Sequence, residues 1–284
     1  LETIPDWNIS ALATLSNGCT TTGVITVHNN NKVWDTTSST NWATTNWTPT
    51  NAVPDIDKCV LVKRPVIIST GGNFEAKNVQ VVPGGTLTIN NDASLKIRDY
   101  LRNNAAATAV LIQSDGNLIQ VNEGVNINTG SVTAKRTLNL STGRLEYNYL
   151  ISPLEGQTLK DIYTAAGAVA PVVLYHNETS NRFSASSGAY IKGRGLAVKE
   201  PTTAFVPTTL NTTFTGKPTN GAFTYNVVNS NPTDTNRGYN LVGNPYPSNI
   251  DMLTFYTVNG GASGNLFSTA YFWDNKANNK TIQY

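Results

Sequence analysis

Only 13% of the 284 residues are charged and the formal net charge is +2, roughly half the charged share of an ordinary soluble domain. Basic residues never run longer than "VKR" at 62–64 or "AKR" at 134–136, so nucleic acid and anionic membranes find no electrostatic footprint. No stretch reads as a transmembrane segment or a signal peptide, and the two histidines, His28 and His176, leave no Ser-His-Asp triad or HExxH zinc site.

The chain opens at Leu1 rather than Met, as a processed or excised polypeptide would. Residues 1–32 read as the tail of a preceding domain, with "SNGCTTTGVITVHNN" forming a turn and a short strand. Cys19 and Cys59 are too few for a disulfide scaffold or a thiolate zinc site. Two readings stay open: buried free thiols, or a bridge closing a loop of about forty residues, which would stabilise by ~3–5 kcal/mol.

Residues 33–144 read as a Trp-rich cap followed by a solenoid. Trp34, Trp42 and Trp47 are spread through the Thr/Asn-rich loop "VWDTTSSTNWATTNWTPTNAVPDIDKCVLV". Large aromatics in such a loop either plug the open end of a β structure or form a platform for stacking on sugar. Asp55 and Asp57 in "VPDIDK" are candidates for a Ca²⁺ site at the solenoid mouth, although a plain turn uses the same residues.

From Cys59 onward the text becomes periodic: "CVLVKRPVIIS", "NVQVVPGG", "TLTINNDA", "SLKIRDYL", "AVLIQSDG", "NLIQVNEG". Each unit is a short alternating strand followed by Gly, Asn or Asp, and Val79, Leu87 and Leu95 recur about eight residues apart. This spacing predicts an all-β chain beginning with a parallel β-helix, its inward Val, Ile and Leu stacked turn on turn. Two β-sandwiches are the alternative. A β-helix raises polysaccharide lyase chemistry, in which a Lys or Arg abstracts a proton, and Arg98, Asp99 and Arg102 on "KIRDYLRNN" are the one local cluster for it. An ordinary surface ion pair explains them equally. Glycoside hydrolysis needs only two carboxylates, but Asp92, Asp115, Glu123 and Asp234 stand singly at turns.

A boundary near residue 144 leads into an antiparallel β-sandwich over 145–284. "TLKDIYTAAGAVAP" holds a single short helical turn. "PVVLYHNETSNRFSA" reads as a hairpin, and Asn220-Gly221 in "TTFTGKPTNGAFTYNVV" is a hairpin signal between alternating strands. In "GYNLVGNPYPSNIDM", two prolines one residue apart exclude a central strand or helix interior. Gly243, Asn244, Pro245, Tyr246, Pro247 and Ser248 must therefore form a rigid turn, and with no nucleophile or base among them the turn reads as a brace.

Tyr239, Asn240, Leu241, Val242, Gly243, Asn244, Pro245, Tyr246, Pro247, Ser248, Ile250 and Asp251 together resemble a signature of large secreted and surface proteins of the Bacteroidetes. The tryptophan loop, "GTLTI", "AKRTLN" (read as a basic turn) and "YNYLISPLEG" follow that family's landmarks in order, from about residue 33 to the end. Cys59 departs from the pattern, standing where an Asn or a second acidic residue is more usual. The resemblance implies export by the type IX secretion system, contact with outer-membrane secretion and attachment machinery, and an adhesin-like role. It also implies that the chain stops within a domain and that a separate sorting domain lies elsewhere.

The expected function is that of an extracellular, non-catalytic surface module for adhesion or display, directed at polysaccharide or another cell-surface polymer. Trp42, Trp47 and Trp273 are its candidate sugar contacts, and no cofactor beyond Ca²⁺ is suggested. The rivals are a self-assembling stalk or filament subunit, favoured by low charge and a solenoid open at its ends, and a polysaccharide lyase or glycosidase.

Overall fold

A computed structural model describes residues 7–14, 20–27, 31–139, 147–162, 171–199, 209–260 and 266. Strands β1 (Trp7–Thr14) and β2 (Thr20–Val27) form an antiparallel hairpin where the sequence pointed to one short strand. Ten short strands follow: β3 (Asn31–Trp34), β4 (Cys59–Val62), β5 (Pro65–Ile68), β6 (Asn73–Ala76), β7 (Asn78–Val81), β8 (Thr86–Ile89), β9 (Ser94–Ile97), β10 (Leu101–Asn103), β11 (Val110–Ile112) and β12 (Asn117–Gln120). They wind into a β-solenoid of about three turns. Its faces are three parallel arrays, β3-β4-β7-β10, β5-β8-β11 and β6-β9-β12.

The eight-residue recurrence in the sequence is the step from one face to the next. Val79, Leu87 and Leu95 lie on β7, β8 and β9, and all three are fully buried. The register then stacks like on like: Val60, Val79 and Leu101 on the first face, Val66, Leu87 and Val110 on the second, Phe74, Leu95 and Leu118 on the third. Burying each such side chain is worth roughly 1.5–3 kcal/mol. Outward positions also ladder between turns, as where the Ser94 hydroxyl donates to Asn73 Oδ1 at 2.6 Å and Lys96 pairs with Glu75 at 3.1 Å.

Beyond the solenoid come β13 (Val132–Asn139), β14 (Tyr147–Leu150), β15 (Leu154–Glu155), β16 (Val172–Asn177), β17 (Arg182–Ala185), β18 (Leu196–Lys199) and β19 (Thr209–Pro218). Strand β13 pairs parallel with β11 on one edge and antiparallel with β19 on the other, so a solenoid face runs on into the second half of the chain. After the three solenoid faces comes a fourth sheet, β14-β18-β16-β17, which is wholly antiparallel. One hydrophobic core is continuous from Trp34 through the solenoid to Phe214 and Val198. Among the described residues there is one α-helix, α1 (Met252–Asn259), capped by Asp251, whose carboxylate accepts the Thr254 amide at 2.7 Å.

Several local expectations change. "AKRTLN" is not a turn but the middle of β13. The β16–β17 hairpin forms; the one expected at Asn220-Gly221 does not, because β19 pairs with β13 and β15 and residues 222–229 form no strand. Gly221, at φ +80°, instead sits against the loop at 123–124, where a Cβ would meet the Gly124 carbonyl oxygen. Residues 159–162 form turns, while 163–170 and the boundary near 144 lie outside the described residues.

Candidate functional site

Trp34, Trp42 and Trp47 are all 0% exposed. Their rings pack at 4.9 Å (Trp34–Trp47) and 4.7 Å (Trp42–Trp47). The Trp34 indole donates to the Pro65 carbonyl at 2.9 Å and the Trp47 indole to that of Trp42 at 3.0 Å. The loop backbone pairs with the first solenoid turn, Val33 exchanging bonds with Thr48 and Ile67 with Thr40 and Trp42. This covers the edge of β3 that would otherwise be open to another chain. Trp42 and Trp47 are therefore a plug, not sugar contacts: no ring face is left for a pyranose. Trp273 lies outside the described residues.

The acidic and basic candidates are tied to one another. Asp55 Oδ1 accepts the Asp57 amide at 2.9 Å, closing the turn, and Asp57 itself pairs with Arg98. Arg98 also reaches Asp99 at 3.8 Å, while Arg102 lies 4.4 Å from the centre of the Tyr100 ring. Among the described residues no group of three or more His, Cys, Asp or Glu is placed to hold a metal. Cys59 carries a free thiol, and Cys19 lies outside the described residues.

The Pro-Tyr-Pro turn is held from within and without. Asn244 spans it, its Oδ1 accepting the Tyr246 amide at 3.1 Å and its Nδ2 donating to the Ser248 carbonyl at 2.6 Å. Pro245 and Pro247 are buried. The Tyr246 hydroxyl donates to the Gly221 carbonyl at 2.7 Å, and burial pushes its pKa up, with Tyr190 and Glu123 adding to the rise. Gly243 sits where a Cβ would come within 2.7 Å of Ile151 Cγ2, so any side chain there makes Ile151 shift. Beyond the turn, the Leu118 amide donates to the Pro247 carbonyl at 2.8 Å and the Asn249 amide to Asn117 Oδ1 at 2.7 Å. The turn thus closes the far edge of β12.

The first two faces are closed at that end as well. Asn103 and Leu101 exchange backbone bonds with Thr129, the Leu101 amide donates to Asn128 Oδ1 at 2.8 Å, and β13 with β19 covers β11. At this end, therefore, the solenoid is not open.

Between this closed end and the fourth sheet lies a cleft of about 580 Å³. Its walls include Arg136 from β13, Tyr149 from β14, Ile151, Tyr246 and Met252, with Ser114 and Asp115 at a solenoid corner. Arg136 is half-buried; burial lowers its pKa and Asp115 opposes that effect. Tyr149 also belongs to the outer face of the fourth sheet. There its ring lies nearly parallel to that of Phe183, 19° between planes and 6.2 Å between centres, with the two residues 41% and 43% exposed. The small Ala197, paired with both Tyr149 and Leu174, leaves room for the rings to meet above it. His176 packs edge-on to Phe183 at 5.3 Å.

Arg136 and Tyr149 lie in "AKRTLN" and "YNYLISPLEG", two stretches that the sequence marked, but neither they nor Phe183 stood out as site residues. The available signal was the spacing of Tyr147 and Tyr149 in "YNYL", which puts both on one face of a strand. No curated protein and no solved structure matches the chain. A family model for a domain of unknown function, DUF8693, matches residues 33–284, and the chain belongs to that family.

Proposed function

We propose that this chain is a non-catalytic module of an extracellular surface, serving adhesion or display, and that it holds polysaccharide on the outer face of the fourth sheet. The observation that carries this reading is the exposed, nearly parallel pair Tyr149 and Phe183. Flat aromatic faces stack on the apolar face of a pyranose, and an antiparallel sheet holds two of them rigidly enough to meet successive sugars. The sugar-contacting role passes to this pair from Trp42 and Trp47, which are fully buried. Supporting the non-catalytic part, the one basic-acidic cluster suited to lyase chemistry is occupied in pairing Arg98 with Asp57 and Asp99. The low charge and the resemblance of residues 239–251 to Bacteroidetes surface proteins support the extracellular setting.

The test is retention of the purified chain on a panel of bacterial, algal and plant polysaccharides, with and without EDTA, while the supernatant is assayed by mass spectrometry for cleavage products. Retention without products, weakened about tenfold (~1.4 kcal/mol) by Tyr149→Ala or Phe183→Ala, is expected. Retention unchanged in the double variant removes the aromatic face from the account, and released oligosaccharide overturns the non-catalytic reading. Polymers growing with protein concentration would favour self-assembly instead, through β17 at the outer edge of its sheet.

A further inference from the structure

We infer that the cleft beside Tyr149 is a subsite for an anionic sugar, with Arg136 recognising a carboxylate or sulfate ester on the bound polymer. This rests on the polysaccharide reading above and names its ligand class. Among the described residues, Arg136 makes one hydrogen bond, from Nη1 to the Lys135 carbonyl at 2.9 Å, and no ion pair. A guanidinium has five N–H donors in a planar fork that matches two oxygens of a carboxylate or sulfate. Half-burying that charge is costly; Asp115 in the same wall offsets part of the cost, and a bound anion offsets more of it.

The backbone around the group is fixed beforehand. The Thr212 hydroxyl donates to the Arg136 carbonyl at 2.9 Å and the Thr137 amide to Ser114 Oγ at 3.1 Å, so β13 presents the side chain from a rigid strand. Pre-organisation of this kind lowers the ordering cost of binding. The volume, about 580 Å³, lies within the range of small-ligand sites. Tyr149 lines both the cleft and the aromatic face, so a sugar stacked on its ring has Arg136 in the adjoining wall.

The test uses two matched pairs of polymers: polygalacturonate with its methyl ester, and dextran sulfate with dextran. Within each pair the sugar backbone is the same and one member lacks the anionic group, and the two pairs separate carboxylate from sulfate. The expected result is at least tenfold tighter binding of the charged member in one pair. Arg136→Gln should abolish that preference while leaving the fold and the binding of the neutral member intact. Arg98→Gln, which removes the same charge from an exposed ion pair, should leave the preference intact. An unchanged ratio in Arg136→Gln, an equal loss in Arg98→Gln, or no preference in either pair overturns the inference while leaving the Tyr149–Phe183 face standing. If no polymer binds at all, the polysaccharide reading fails. NMR titration with free galacturonate and with galactose 6-sulfate, each against galactose, then decides the anion site separately: a shift of the Arg136 Nε–H for either anion alone supports it, and no shift for either overturns it.

Discussion

The Leu118 amide donates to the Pro247 carbonyl at 2.8 Å, tying a solenoid strand to a turn well over a hundred positions away. A Pro-Tyr-Pro run lacks two donors but keeps every acceptor. It can therefore offer carbonyls to an open strand edge while extending no strand of its own. That joins the two halves of the chain at one end of the solenoid.

Asn244→Ala removes both side-chain bonds that span this turn. Destabilisation by ~1–3 kcal/mol is expected. The distinguishing measurement is hydrogen exchange: the Leu118 amide, distant in sequence, should exchange faster along with that of Tyr246. Loss of protection at Tyr246 alone would mean that the turn and β12 are not mechanically joined.

Gly243→Ala forces a methyl against Ile151. Overpacking of this kind costs ~1–3 kcal/mol. Because the obstacle is a side chain, Ile151→Ala in the same molecule should return part of the loss, and a double-mutant cycle in urea would show a favourable coupling. Additive losses would place the strain in the backbone instead.

Trp47→Ala empties the middle of the plug, since its ring packs on both Trp34 and Trp42. A loss of ~3–5 kcal/mol is expected, seen as a large drop in the urea midpoint. Polysaccharide retention per folded molecule should not change. Selective loss of retention at full stability would return the tryptophans to the binding site.

Glu178 gathers the loop that precedes the Pro-Tyr-Pro turn, its carboxylate accepting the amides of Ser230 at 3.1 Å and Gly238 at 3.0 Å. Burial pushes its pKa up, but these bonds and the charge of Arg237 outweigh it and hold the group below the usual carboxylate range. A depressed folded-state pKa contributes stability that is fully present above the unfolded value and is lost as pH falls through the folded one. Amide protection across residues 230–238 should therefore persist at neutral pH and fall below the ordinary carboxylate range. In Glu178→Gln it should be lower at neutral pH and flat across that window. An identical acid profile in the variant would assign the transition to another carboxylate.

The solenoid could be read from the chain because its signals are local. Alternation over a few residues sets which side chains point inward, and Gly, Asn and Asp set the corners; Asp92 and Asp115 indeed take positive φ there. The turn at Asn244–Ser248 was legible for the same reason, since proline's missing donor is a property of the residue itself. Other features depend on which distant segments meet. Asn220-Gly221 carries a strong hairpin signal, yet β13 offered β19 a longer partner. The charge of Arg98 is engaged by Asp57, far from it in sequence. The pairing of Tyr149 with Phe183 requires β18 to lie between β14 and β16 with a small residue at Ala197. Periodicity and turn chemistry determined the strands and the corners, whereas strand order, the closing of the solenoid ends and the candidate site arose only in the tertiary structure, because pairing across long sequence separations is decided by competition among edges that no local pattern encodes.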